Sequence, residues 1–353
     1  MKDILRKLNH CVLSDHQGMI GIEKHIEQIQ SLLHLESWTV RIIGIWGMGG
    51  MGKTTIANAI YHKLATQFSC RSIVLNVQQE IERAGLDHVR RKYLSELLDE
   101  DITSSKSNFS YIPRLQRAKV LLVLDDVNDS DQLEGLIGCS NFGLGSRIIV
   151  TSRDKQVLEN ANANEIYEVR QMDFQDSLRL FCLNAFKQKY PIETYVSLSE
   201  KVLNYAKGVP LVLKVLGLLL HGRTKEAWVS ELQKLEKFPD LKTFKVLSLS
   251  YDGLDDEQKN IFLDIACFYR GHLENVVSQT LDRCGFSAHI GMDVHKDRCL
   301  ISVSEGRIVM HDLIQEMGHE IVRQQCVNDP GKRSRLWKPD DIYDVLRKNK
   351  VCS

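Results

Sequence analysis

Apolar residues along this chain fall into two regimes. Between residues 41 and 169 they come as short unbroken runs: Arg41–Trp46, Ser72–Val77, Val120–Leu124, Ser146–Thr151 and Ile166–Val169. Such runs read as strands buried on both faces, and the helical spacing between them predicts a parallel sheet covered on either side. The intervening helices are predicted over Lys53–Gln67 and His88–Leu98. Upstream, Ile22, Ile26, Ile29, Leu32 and Leu33 recur on one helical face, which predicts an amphipathic helix over Glu23–His34.

After Met172 the strand pattern stops. Asp176–Phe186, Tyr195–Lys207 and Leu211–Leu220 read as helices. Gly208 sits where a helix end favours positive φ, and Pro210 where a helix start needs no N–H. A further helix is predicted from Asp255, with Gln258 completing a capping box, and it should bury Ile261, Phe262, Ile265 and Phe268. Cys299–Val303 and Arg307–Met310 alternate around Ser304–Gly306 as a hairpin, and helices on both sides predict a winged helix. Residues 1–17 read as a polar tail cut from something longer. The turn-rich, basic stretch Asp329–Lys338 reads as a solvated exit linker.

Composition narrows the function classes. A chain of 353 residues fits two or three modules, and 43% apolar with 26% charged residues is a globular balance. Forty-six basic residues offset forty-six acidic ones, so no global field draws the chain to nucleic acid or a membrane. Nine cysteines occur without a CxxC pair, which points to reduced thiols in the cytosol and away from zinc. The most apolar run, Val209–Leu220, is interrupted by Lys214 and is shorter than the roughly 20 residues a membrane helix needs. The N-terminus has no secretion-signal pattern.

The chemistry is concentrated in three stretches. Gly47-Met-Gly-Gly-Met-Gly52-Lys53-Thr54 fits G-x-x-x-x-G-K-T between an apolar strand and a helix. Gly47, Gly49, Gly50 and Gly52 let backbone N–H groups turn toward phosphates, and the following helix presents its positive end to the same anion. Lys53 supplies charge to the outer phosphates, the Thr54 hydroxyl can ligate Mg²⁺, and Thr55 adjoins them. Leu121-Leu-Val-Leu-Asp125-Asp126 ends a buried strand in two carboxylates. Asp125 is expected to hold Mg²⁺, and Asp126 to orient or deprotonate an attacking water. In Ser146-Arg147-Ile-Ile-Val-Thr151-Ser152-Arg153, an arginine past a strand end can sense a γ-phosphate. Taken singly, an acidic pair or an arginine at a strand end is also an ordinary surface feature.

These elements, in this order, resemble the NB-ARC module of plant TIR-type nucleotide-binding, leucine-rich-repeat immune receptors. Gly208-Val209-Pro210-Leu211 matches the family's G-x-P-L, Phe262–Phe268 a block typical of the TIR-type branch, and Met310-His311-Asp312 its M-H-D. Asn128 stands where the coiled-coil branch usually has Trp, and Thr151-Ser152-Arg153 departs mildly from Thr-Thr-Arg. The resemblance implies an α/β P-loop NTPase domain of the AAA+-like STAND class over residues 18–172. A helical domain would span 173–243 and a winged-helix domain 244–325, with 326–353 leading toward a leucine-rich repeat that this chain does not contain.

By the same resemblance, ADP or ATP with Mg²⁺ would be held by Lys53, Thr54 and Asp125. The backbone at Ile20–Gly21 would lie along the adenine, Pro210 would pack near it, Arg153 would sense the γ-phosphate, and His311 would contact the β-phosphate of ADP. Local physics alone allows Pro210 as a plain helix-start proline, His311 as a packed core histidine and Asp312 as a helix N-cap. The implied function is a nucleotide switch in defence signalling, cytoplasmic or also nuclear. It would be closed with ADP, opened by ATP, self-associating when open, and coupled to other receptor domains or defence signalling proteins, with slow ATPase activity at most. Two rivals are a turnover ATPase and a DNA-binding winged-helix regulator. Residues 291–353 carry 11 Lys/Arg against 10 Asp/Glu, too little basic excess for the second.

Overall fold

The computed structural model describes residues 19–99, 112–138, 142–235 and 241–347, so the predicted tail at 1–17 and the last residues of the predicted linker lie outside it. Five strands form one parallel sheet: β1 (Arg41–Trp46), β2 (Cys70–Val74), β3 (Val120–Leu124), β4 (Arg147–Ser152) and β5 (Glu165–Glu168). Their order is β2-β3-β4-β1-β5. The helices of this layer are α1 (Ile22–Leu33), α2 (Lys53–Leu64), α3 (Val77–Ala84), α4 (Leu86–Leu98), α5 (Ser130–Ile137) and α6 (Lys155–Asn160).

Strand β3 shows why an unbroken apolar run was needed. Its side chains alternate between faces and every one is buried. Leu121 and Val123 join Ile43, Ile45 and Ile149 against α1 and α2, while Leu122 and Leu124 join Val74, Ile148 and Val150 against α4, α5 and α6. Strand β2 ends sooner than its apolar pattern predicted. Asn76 turns the chain at φ 51°, and Val77 opens the unpredicted helix α3 while its N–H bonds the Asp125 carbonyl at 2.8 Å.

Beyond the sheet come α7 (Phe174–Phe186), α8 (Val196–Ala206), α9 (Pro210–Leu220) and α10 (Lys225–Leu235). They gather around Trp228, whose indole N–H donates to the Leu220 carbonyl at 3.0 Å and whose ring meets Phe181, Phe186 and Tyr195. Next are α11 (Leu241–Asp252), α12 (Asp256–Asp264), α13 (Glu274–Arg283), α14 (Ala288–Asp297), the antiparallel hairpin β6 (Ser302–Ser304) and β7 (Arg307–Val309), and α15 (Asp312–Gln325). The capping box at Asp255 and Gln258 is present. The core on the α1–α2 side of the sheet runs without a break through these later helices. Among the described residues no helix is long and apolar enough to cross a membrane.

Three expectations are corrected. Phe268 is 42% exposed, because residues Ile265–Tyr269 form a wide π-helical turn that changes which side chains face inward. The cap of α15 is His311 rather than Asp312: its Nδ1 accepts from the Leu313 N–H at 3.1 Å. Asp312 is instead the first helical residue, where a carboxylate suits the helix dipole, and it pairs with Arg270 and with Lys207 at 3.5 Å. The basic exit stretch is fastened down rather than solvated. Arg335 bonds Asp264 at 2.6 Å and the Asn260 carbonyl at 2.9 Å, Arg333 bonds Asp341 at 2.7 Å, and Trp337 stacks on His319. The chain then enters α16 (Pro339–Arg347).

Candidate nucleotide site

The glycine-rich loop joins β1 to α2 and takes the shape its sequence demands. Gly50 and Gly52 have φ of 81° and 91°, conformations that side chains disfavour. A Cβ on Gly50 would stand 3.0 Å from the Leu211 side chain, and the Gly50 carbonyl accepts from the Leu211 N–H at 3.2 Å. The loop is thus pressed against the start of α9. At Gly52, which caps α2, a Cβ would meet no atom within 4 Å. Open space at a helix N-terminus, lined by backbone N–H groups, fits a phosphate.

Lys53 lies buried under this loop, its ammonium donating to the Gly47 carbonyl at 2.6 Å and the Met48 carbonyl at 3.0 Å. Burial, with the Arg153 guanidinium adding repulsion, lowers its pKa to about 8. Asp125 and Asp126 offset this only in part, and a bound polyphosphate would add the negative charge that favours the ammonium form.

The ends of β3 and β4 complete the phosphate half. Fully buried Asp125 accepts from the Thr54 hydroxyl at 3.0 Å and from the Thr151 hydroxyl at 2.7 Å. A threonine hydroxyl beside a carboxylate is a hard-oxygen pair, a donor set that suits Mg²⁺. Asp126 has φ 60° and pairs through Oδ1 with Arg153 Nε at 3.3 Å. The two residues predicted to act on an attacking water and a γ-phosphate therefore hold each other.

These groups open into a cavity of about 420 Å³. Its phosphate end is lined by Gly50, Gly52, Lys53, Thr54, Thr55, Asp126 and Arg153, together with Asn76 and Thr151. The rest of the wall comes from Ile20, Gly21, Ile22 and His25 of α1 and the turn before it, from Arg170, Met172 and Leu180, and from Pro210, Leu211 and Lys214 of α9. Gly47, Gly49, Asp125 and His311 are not in the wall. His311 stands beside Lys207, one residue before the Gly208–Leu211 stretch, with Nε2 buried and short of hydrogen-bonding geometry. Burial lowers its pKa, so the ring is neutral. His25, Arg170 and Lys214 carried no motif, and the sequence reading missed them.

The winged-helix module reaches the sheet near this cavity. The Trp46 indole at the end of β1 donates to the Asp297 carbonyl at 2.7 Å, and Arg298 pairs with Asp154 at 3.3 Å. Cys299 follows in a left-handed conformation and lies close to Lys53.

A parallel five-stranded sheet with a phosphate-type loop after β1 and a carboxylate after β3 defines a P-loop NTPase fold. Among solved structures it is similar to the Walker-type ATPase PABY2304 of Pyrococcus abyssi, with TM-score 0.58 and 12% identity over 86% of this chain and 97% of that one. It is also similar to the ORC2 protein of Aeropyrum pernix, described in ADPNP-ADP complexes, with TM-score 0.50 and 10% identity over 89% and 95%. Residues 22–190 match the NB-ARC domain, and residues 255–326 match the winged-helix domain described as disease resistance protein Roq1-like. The chain carries both, an NB-ARC module joined to a Roq1-like winged helix, and the resemblance read from its motifs is borne out. Disease resistance protein RUN1 of Vitis rotundifolia is 41% identical over 349 residues, which is 97% of this chain and 26% of RUN1. The chain spans between a quarter and a third of the length of such curated relatives.

Proposed function

We propose that this chain binds ADP or ATP with Mg²⁺ and serves as the nucleotide switch of a plant intracellular immune receptor. One observation carries the reading: a single cavity is lined both by the phosphate loop with Lys53 and Thr54 and by the apolar side chains Ile20, Ile22, Met172, Leu180, Pro210 and Leu211. That two-ended chemistry suits a charged tail joined to a planar base. The disease-resistance relatives, and the adenine nucleotides in the ORC2 description, support it.

The chain's own residues divide the work. Amides from Gly50 to Gly52 face the phosphates, with Gly47 and Gly49 shaping the loop behind them, Lys53 supplies positive charge, and Thr55 adjoins them. Thr54 and Asp125 would hold Mg²⁺, which neutralises phosphate charge when bound. A γ-phosphate competes with Asp126 for Arg153 and so frees that carboxylate toward water. His311, beside Lys207, is assigned to report the β-phosphate to the winged helix. Each nucleotide biases the closed and open forms only by its differential affinity for them.

Heat-denaturing the purified chain and identifying the released nucleotide tests the reading; ADP is expected, and none from Lys53→Ala. If the parent releases no nucleotide and takes up no ADP with Mg²⁺ in calorimetry, the reading fails. Sustained multiple-turnover phosphate release would favour the ATPase rival instead. His311→Ala is expected to hold ADP more weakly, and unchanged affinity would remove its assigned role.

A further inference from the structure

The base end of the cavity holds one ring whose hydrogen-bonding direction is set by its neighbours. His25, on α1, lines the cavity beside Gly21 and Ile22. Its Nδ1 is 2.7 Å from the Tyr167 hydroxyl on β5, and that hydroxyl donates to Gln28 Oε1 at 2.7 Å. A phenol has one proton. With that proton directed at Gln28, the Tyr167 oxygen can only accept from His25, so Nδ1 carries the imidazole hydrogen. The neutral ring then keeps a bare lone pair on Nε2, which has no hydrogen-bond partner among the described residues. Burial lowers the pKa of His25, in keeping with a neutral ring. The edge-on contact with Tyr167, with ring centroids 5.8 Å apart, holds its orientation.

Of the other ionisable side chains lining the cavity here, Arg170 and Lys214 are donors only, while the Asp176 carboxylate faces Gly21 without entering the lining. His25 thus brings a side-chain acceptor, Nε2, to the cavity wall beside Gly21 and Ile22. Purines differ in sign toward such a group: adenine carries an exocyclic amine, a donor, where guanine carries a carbonyl oxygen, an acceptor.

We propose that His25 selects adenine over guanine by accepting from the exocyclic amine, with Tyr167 and Gln28 as positioning residues that lock the tautomer. This rests on the nucleotide reading above and names the group that makes it specific. An acceptor facing the guanine oxygen leaves both unpaired, whereas one hydrogen bond gained with adenine corresponds to about tenfold in affinity.

The test uses the full 353-residue chain, freed of nucleotide and titrated with Mg·ADP and Mg·GDP. The parent is expected to favour ADP by about tenfold or more. His25→Leu should lose most of that ratio, by weakening ADP and by removing the acceptor that opposes the guanine oxygen of GDP. His25→Gln, whose amide oxygen accepts, should retain part of it, and Tyr167→Phe, which frees the tautomer, should fall between. Nitrogen-15 shifts of the parent's His25 should show a protonated Nδ1 and a bare Nε2, a readout that needs no variant to fold. An unchanged ADP:GDP ratio in His25→Leu, or a protonated Nε2 in the parent, overturns the proposal while leaving nucleotide binding intact. A parent that binds neither nucleotide overturns both this and the reading it rests on.

Discussion

Replacing Arg147 tests how the cavity wall is held. Its side chain has no exposed surface. The guanidinium donates to the carbonyls of Leu33 at 2.6 Å, Thr39 at 2.8 Å, Ser37 and Ser146 at 2.9 Å, and also His34. Three of these, His34, Ser37 and Thr39, lie in the segment that joins α1 to β1, and Leu33 ends α1. His34 and Ser146 have second donors, the N–H groups of Ser37 and Arg41. Arg147→Met keeps the apolar stem and removes the fork, so the carbonyls of Leu33, Ser37 and Thr39 bear the loss. At about 1–3 kcal/mol for the buried Leu33 acceptor left without its donor, and less for the part-buried Ser37 and Thr39 carbonyls that water can reach, offset by the guanidinium that no longer needs desolvating, the net cost is about 3 kcal/mol. For a domain of this size that is a fall of about 6–12 °C in Tm. Because α1 carries Ile22 and His25 into the cavity wall, ADP affinity should fall with it. Thermal melting with and without Mg·ADP measures both effects. Arg147→Lys, with charge but no planar fork, should lie between. A melting point for Arg147→Met within about 2 °C of the parent would refute the reasoning.

The remaining predictions concern the later modules. Arg298→Glu sets a carboxylate against Asp154 and should speed ADP release and enlarge the particle in small-angle scattering; no change in either would exclude this contact as a clamp. Glu316 is half-buried beside Tyr205 with one oxygen unpartnered, and this desolvation raises its pKa from 4.5 to about 7. A carboxylate raised in the folded state contributes stability that is full below pH 4.5 and is lost as pH rises through about 7. The parent's Tm should therefore drop relative to Glu316→Gln between about pH 5 and 8, and parallel curves would contradict the assignment. Arg335→Ala should raise amide exchange across Ser334–Lys338, whereas unchanged exchange would show that the Asp264 pairing is not what fastens this stretch.

Much of the fold was legible because its signals are local. The doubly buried strands announce themselves as unbroken apolar runs, and the capping box at Asp255 is written in four consecutive residues. The misreadings have a common cause. Phe268 follows helical spacing in the sequence, but a wide turn inserted after Asp264 presents it to solvent. Asp312 looks like a cap, yet Arg270 and Lys207 draw it into ion pairs and leave the capping to His311. Arg335 reads as a solvated base because its partner Asp264 lies 71 residues away.

The candidate site divides along the same line. Its phosphate half is built from consecutive backbone groups and one adjacent lysine and hydroxyl, so spacing alone determined it, with an acidic pair closing the apolar strand β3. Its base half is gathered from α1, the turn after β5, α7 and α9, segments tens to more than a hundred residues apart. No local spacing relates His25 to Tyr167, Arg170 or Lys214. Only the packing of α1 and the later helices onto the sheet brought them to one cavity, because a side chain's partners across such distances depend on tertiary contact.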